Sequence, residues 1–159
     1  MSMNDAGALR LTARHEAAHA IAALHYDCPM EFASIAPGKF SSLGSTRIAP
    51  HRKEHGIVLY CGPLAEREWE EFARGEVRVE TLMELFGGDL EALESLALAR
   101  NECFVCMDEA VEFLNRREVQ EQIDRVANAL LKSTTLTAEE VKITSGFADR
   151  LCSPDWIRS

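Results

Sequence analysis

The segment from residue 11 to residue 26 limits most strongly how this chain can fold. Its apolar positions, among them Ala17 and Ile21, recur at steps of three and four residues, which predicts an amphipathic helix. We expect Thr12 to be the N-cap of this helix, because a threonine side chain can accept a hydrogen bond from the first turn. The helix should end before Pro29, since proline cannot continue it.

Most of the remaining chain has the same helical period. Predicted helices cover residues 55–74, with an interruption at Gly62-Pro63, and residues 89–105 and 108–132, and the capping box of Thr137 and Glu140 opens a last helix. Residues 31–49 instead contain two short predicted strands around a turn. We therefore expect a mainly α fold with a minor β component. No repeat or linker divides the chain, which predicts a single domain over residues 1–159.

The charge balance restricts the kind of partner. The chain has 17 Lys and Arg against 26 Asp and Glu, a formal net charge of -9. This balance argues against a nucleic-acid partner, which needs a basic face, and against attraction to an anionic membrane. No window is apolar enough for a membrane helix, and five cysteines without an export signal favour reduced thiols. We expect a cytoplasmic protein.

One motif carries candidate chemistry. His15, Glu16 and His19 form an HExxH sequence inside the first predicted helix. Positions i and i+4 share one helical face, so both imidazoles can point at one cation, and neutral imidazole binds Zn²⁺ at about 2.0–2.1 Å. Glu16 can take a proton from a water that the metal activates and pass it to a leaving amine. The alanines around the motif predict a buried face, which favours a zinc site over two structural histidines.

A third zinc ligand must come from elsewhere, because catalytic zinc keeps three protein ligands and one open position. The candidates are Asp89, Glu66, Glu68, His25, His51, His55 and the cysteines. His25 lies six residues after His19 and therefore on another side of the helix. We expect His51 and His55 in a charged, solvated loop. Asp89 follows two glycines at a predicted helix start, where it is either a favourable first-turn charge or a ligand.

Several short stretches match one known family in the same order along the chain. They are RHEAAHAI at 14–21, FASIAPG at 32–38, LG at 43–44, YCGPLAERE at 60–68, GEV at 75–77, GDLEA at 88–92 and LLKSTTLTAEE at 130–140. Together they resemble the peptidase domain of FtsH-type AAA proteases, over roughly residues 12–145. Pro63 stands where the family has a second glycine after Gly62.

The resemblance implies that His15, His19 and Asp89 hold the zinc ion and that Glu16 is the general base. It implies a helical zinc-metallopeptidase domain with a small β-ribbon near the HExxH helix, standing alone without the ATPase module and membrane helices. The expected function is ATP-independent hydrolysis of peptide bonds in a peptide or an unfolded protein substrate. The resemblance is compatible with a separate ATPase or partner protein and with a homo-oligomer.

Two other functions compete with this one. The first is a non-catalytic zinc-containing interaction module, and the second is a regulatory HExxH peptidase with one specific protein substrate. Cys103 and Cys106 form a lone CxxC in a helical pattern, which we interpret as two small apolar residues rather than a metal or redox pair. The chain has no GxxxxGK[ST] sequence and hence no predicted nucleotide site.

Overall fold

The described residues form five helices and one small sheet of two strands. The computed structural model describes residues 3–36, 53–65 and 100–147. In chain order the elements are α1 (Met3–His25), β1 (Phe32–Ser34), α2 (Lys53–Leu64), α3 (Arg100–Leu114), α4 (Arg117–Ser133), β2 (Thr135–Thr137) and α5 (Ala138–Ser145). The predicted mainly α fold with minor β is thereby confirmed.

Some predictions fall outside the described residues. They are the second strand of the ribbon after residue 36, the part of the helix beyond residue 65 and the start of the helix at residue 89. The prediction of a single domain stays a prediction.

Helix α1 begins earlier than its sequence pattern indicates. It starts at Met3, so the prediction that Thr12 is its N-cap was wrong. The hydroxyl of Thr12 lies within the helix and donates to the carbonyl oxygen of Ala8 at 3.0 Å. Gly7, Ala8 and Arg10 in its first part are exposed, so they add nothing to the apolar pattern that begins at residue 11. Periodicity therefore could not mark where the helix begins.

The end of α1 follows the prediction. Asp27 adopts a positive φ of 53° after the last helical residue, His25. The backbone N–H of Cys28 then reaches back to the carbonyl of Ala23 at 2.8 Å, as in a Schellman motif. Pro29 follows this motif directly, as is common one or two residues after a helix C-cap. The break orients the chain towards β1.

The boundary between α3 and α4 differs from the sequence prediction. A break was expected between residues 105 and 108, but α3 runs through it and ends at Leu114. The turn lies at Asn115 and Arg116, where Arg116 has an extended conformation (φ -72°, ψ 123°). Neither residue is glycine or proline, so the sequence carries no strong signal for this break. The amide of Gln120 closes the end of α3 by donating to the carbonyl of Leu114 at 2.6 Å.

The small sheet joins two distant parts of the chain. Strand β1 pairs antiparallel with β2, in the register Phe32–Thr137, Ala33–Leu136 and Ser34–Thr135. The sheet lies against α1, as expected for a ribbon near the HExxH helix. Strand β2 was missed because its three residues lie directly between α4 and α5, and the last of them, Thr137, is also the N-cap of α5. Three residues are too few for an alternating pattern to be recognised.

The core forms around α1. Helix α1 packs against both α2 and α4, while α2 also packs against α3 and α4 against α5. The largest buried apolar side chains are Ile21, Ile57, Leu64, Phe113, Leu114, Ile123 and Leu130. On α4 the buried positions follow the predicted helical period. Among the described helices, none is long and apolar enough to cross a membrane.

Two threonines test the assignment of helix caps. Thr137 caps α5 by accepting from the backbone N–H of Glu140 at 3.2 Å, and the Glu140 carboxylate accepts in return from the N–H of Thr137 at 2.7 Å. Thr137→Ala should therefore lower the free energy of unfolding by about 1 kcal/mol. Thr12→Ala is the matched control and should cost nothing, because an exposed mid-helix alanine is at least as favourable as threonine. Urea denaturation of both variants measures the difference, and an equal loss in both would contradict the assignment.

Candidate metal centre

The two histidines of the HExxH motif converge on one point. They lie one turn apart on α1, with their Nε2 atoms 3.0 Å from each other. Their rings meet edge to face, at a centroid distance of 4.7 Å. Two nitrogens bound to one tetrahedral zinc ion at about 2.0–2.1 Å would be roughly 3.3 Å apart. The observed pair is thus close to the spacing that a shared cation requires.

A backbone carbonyl fixes the tautomer of His19. The Nδ1 atom of His19 lies 2.8 Å from the carbonyl oxygen of Val58 on α2. A carbonyl oxygen can only accept, so Nδ1 carries the proton and Nε2 of the neutral ring presents a lone pair. Zinc-binding histidines commonly donate their second N–H to a carbonyl in this way. The lone pair faces His15, which can either donate to it from its own Nε2 or share a cation with it.

Gly62 on α2 provides the space beside this pair. A Cβ atom at this position would lie 2.2 Å from Nε2 of His19 and 2.7 Å from Nε2 of His15. Both distances are far below van der Waals contact, so any larger residue would displace the imidazoles. Without a side chain, Gly62 leaves a gap into which the two imidazoles extend. The donor set, two nitrogens 3.0 Å apart, fits two ligand positions of a zinc ion.

Glu16 lies in the interior beside the pair. Its side chain is only 1% exposed, and that of His19 is fully buried. Burying a carboxylate is costly unless positive charge or hydrogen bonds compensate the lost hydration. A cation held by the neighbouring imidazoles would offset part of this cost.

The other two described histidines are placed differently. His25 lies away from the pair, as predicted, with its Nε2 atom 2.8 Å from the amide oxygen of Gln122 and its ring against Phe113. The expectation of a solvated His55 was wrong, since this residue lies on α2 and is only 2% exposed. Helix α2 begins at Lys53, two residues before the predicted start at His55, so His55 lies inside the first turn rather than at the edge of a loop.

The described cysteines are buried thiols. They are Cys28, Cys61 and Cys106. Burial raises the pKa of the Cys61 thiol, so this side chain stays protonated, whereas zinc binds the thiolate. For Cys106, full burial agrees with the interpretation of an apolar helix position.

The predicted third ligand cannot be placed. Asp89, His51, Glu66 and Glu68 lie outside the described residues. Within residues 3–36, 53–65 and 100–147, no group of three His, Cys, Asp or Glu side chains comes together around one point. The structure therefore describes His15 and His19 as a pair, and Asp89 as third ligand stays a prediction.

Comparison with known proteins adds no assignment. No family model, no curated protein and no solved structure matches the chain.

Sequence reasoning missed the role of Gly62. It noted this glycine only as part of an interruption in a helical pattern. An isolated glycine inside such a pattern often marks a close approach of another group, and this signal could have pointed to the site.

Two helical glycines test the geometry of the gap. Gly7 on α1 has open space around the position of a Cβ, whereas Gly62 faces both imidazoles. Gly7→Ala should raise the free energy of unfolding by about 0.5–1 kcal/mol, because alanine is the better helix former. Gly62→Ala should lower it, since the added methyl forces the histidines out of their packed positions. Urea denaturation measures both, and a stabilised Gly62→Ala variant would show that the imidazoles do not lie against Gly62.

Proposed function

We propose that this chain is a zinc-dependent metallopeptidase that hydrolyses peptide bonds without ATP. His15, His19 and Asp89 are the proposed zinc ligands, and Glu16 is the proposed general base. The observation that carries the proposal is the convergence of two Nε2 atoms, 3.0 Å apart, where α1 approaches Gly62 on α2. The order of motifs shared with FtsH-type peptidases supports the same assignment.

Each residue has a defined task in this proposal. A bound zinc ion would supply an acidified water and a Lewis acid for the substrate carbonyl. His19 binds through Nε2 because the Val58 carbonyl holds its proton on Nδ1. Glu16 accepts a proton from the attacking water and then delivers it to the nitrogen of the leaving amine. Its burial keeps bulk water from competing for that proton.

The proposed substrate is an extended peptide or an unfolded protein segment. Peptide hydrolysis itself needs no nucleotide, so the chemistry does not depend on a motor. We place the activity in the cytoplasm, where the buried thiols of Cys28, Cys61 and Cys106 would stay reduced. A partner protein that delivers substrate and a homo-oligomer are compatible with this assignment.

The metal content of purified protein tests the site. We expect about one Zn²⁺ per chain, lost in His15→Ala because one ligand of the pair is removed. His25→Ala is the matched control, since this histidine lies on the same helix but contacts Gln122 and Phe113 instead. It should keep its zinc per folded chain, as measured by atomic emission after gel filtration. A folded wild-type protein without metal affinity would contradict the site.

The role of Glu16 is tested by a substitution that keeps its shape. Glu16→Gln should retain zinc but lower the cleavage of an unfolded casein substrate by at least 100-fold, because the amide cannot accept the proton. Glu112→Gln, at an exposed position on α3, should leave the rate unchanged. The rate is measured without ATP, by fluorescence of a labelled substrate. Equal inactivity of wild type and Glu16→Gln over many peptides would instead favour the interaction module.

A further inference from the structure

Arg14, the residue before the histidine pair, connects three helices. Its Nε atom donates to the carbonyl oxygen of Ala65 at 2.7 Å, directly after the end of α2. Its Nη1 atom contacts the carboxylate of Asp124 on α4 at 2.5 Å, and Nη2 donates to the amide oxygen of Gln120. One guanidinium thus binds α1 to α2 and α4 through three different groups, which its planar fork of donors allows.

The contact to Gln120 extends this connection to a fourth helix. The amide oxygen of Gln120 accepts from Arg14, while its Nε2 donates to the carbonyl of Leu114, the last residue of α3. Both ends of the amide are therefore used, and its orientation is fixed by the two partners. The ends of α2 and α3 are joined through Arg14 and Gln120.

The end of α2 depends on such an external contact. Pro63 lies in its last turn and has no backbone N–H, so the carbonyl of Leu59 loses the usual helical hydrogen bond. The helix then ends with backbone bonds from the N–H of Ala65 to the carbonyls of Cys61 and Gly62, each 3.1 Å long. A cation at the C-terminus of a helix is favourable, and Arg14 supplies one at Ala65.

The same turn of α2 contains Gly62. Because Ala65 is bonded to the carbonyl of Gly62, a shift of Ala65 moves Gly62 as well. Gly62 forms one wall of the gap beside the histidine pair, whereas Arg14 and His15 are neighbours on α1. The bond from Arg14 to Ala65 therefore links the two walls of the gap directly.

We infer that Arg14 is a positioning residue, which sets the distance between Gly62 and the His15–His19 pair and thereby how the two Nε2 atoms are held for a metal ion. The inference rests on the proposed function. Arg14 is not a proposed ligand; it holds the backbone of α2 at the separation from α1 that the two imidazoles need. Its role is thus comparable to that of outer contacts that orient metal ligands.

Substitution of Arg14 tests the inference through metal binding, independently of peptidase activity. Arg14→Gln removes the charge, and Arg14→Lys keeps it but loses the fork of donors. Both should bind Zn²⁺ at least about 10-fold more weakly in competition with a chromogenic chelator. With Co²⁺ in place of Zn²⁺, the visible absorption bands should shift in position, because the coordination geometry changes. A fold that is merely less stable would lose band intensity without a shift.

Two controls separate positioning from charge and from stability. Arg117→Gln removes an exposed ion pair with Glu121 on α4 and should change neither affinity nor spectrum. Asp124→Asn removes the charge partner of Arg14 but leaves its bond to Ala65, so metal affinity should stay at the wild-type level. Pro63→Ala in the Arg14→Gln background restores a backbone N–H for the Leu59 carbonyl and should recover part of the lost affinity.

The outcomes distinguish the two proposals. If wild-type protein binds Zn²⁺ while both Arg14 variants keep its affinity and its Co²⁺ spectrum, the inference is wrong and the proposed function stands. An equal loss in Arg117→Gln would also overturn it. If Arg14→Gln does not fold, Arg14→Lys decides the question with the same measurements. Wild-type protein that binds neither Zn²⁺ nor Co²⁺ would contradict the proposed function itself.

Discussion

The close approach of α1 and α2 is the contact on which the candidate centre depends. It requires a glycine on α2, because a Cβ at Gly62 would overlap His19 at 2.2 Å. The same approach brings the carbonyl of Val58 within 2.8 Å of the His19 ring and so sets the tautomer. Small alanines surround the motif on α1 and keep its neighbours near. Packing and ligand chemistry are therefore set by one helix–helix contact.

Side chains from neighbouring elements complete several helix ends. The carbonyls at the ends of α2 and α3 accept from Arg14 and Gln120, and the start of α5 is closed by Thr137 and its capping box. Such bonds satisfy backbone groups that a helix leaves open at its ends. They also fix how the helices sit relative to one another, since most donors come from another element. The contacts that satisfy the helix ends thus also determine how the helices pack against one another.

The structural features that depend on a local pattern could be predicted from the sequence. The burial of α4, the end of α1 before Pro29 and the capping box at Thr137 all follow from periodicity or from short-range chemistry. The pairing of the His15 and His19 nitrogens followed from helical spacing. The partner of β1 and the bond from Arg14 to Ala65 did not, because they join residues that only the folded chain brings together. Asp89 as third ligand stays a prediction from resemblance.

The β1–β2 pairing also affects when the contacts of α1 can form during synthesis of the chain. Strand β1 lies just after α1, but its partner begins at Thr135, and Asp124 lies 110 residues after Arg14. On a ribosome, α1 therefore leaves the exit tunnel long before α4 and β2 are made. Such distant contacts also slow folding, because large loops must close first. Helix α1, with the histidine pair, can complete its packing only after α4 is made, so its Ala-rich surface must stay soluble in the interval.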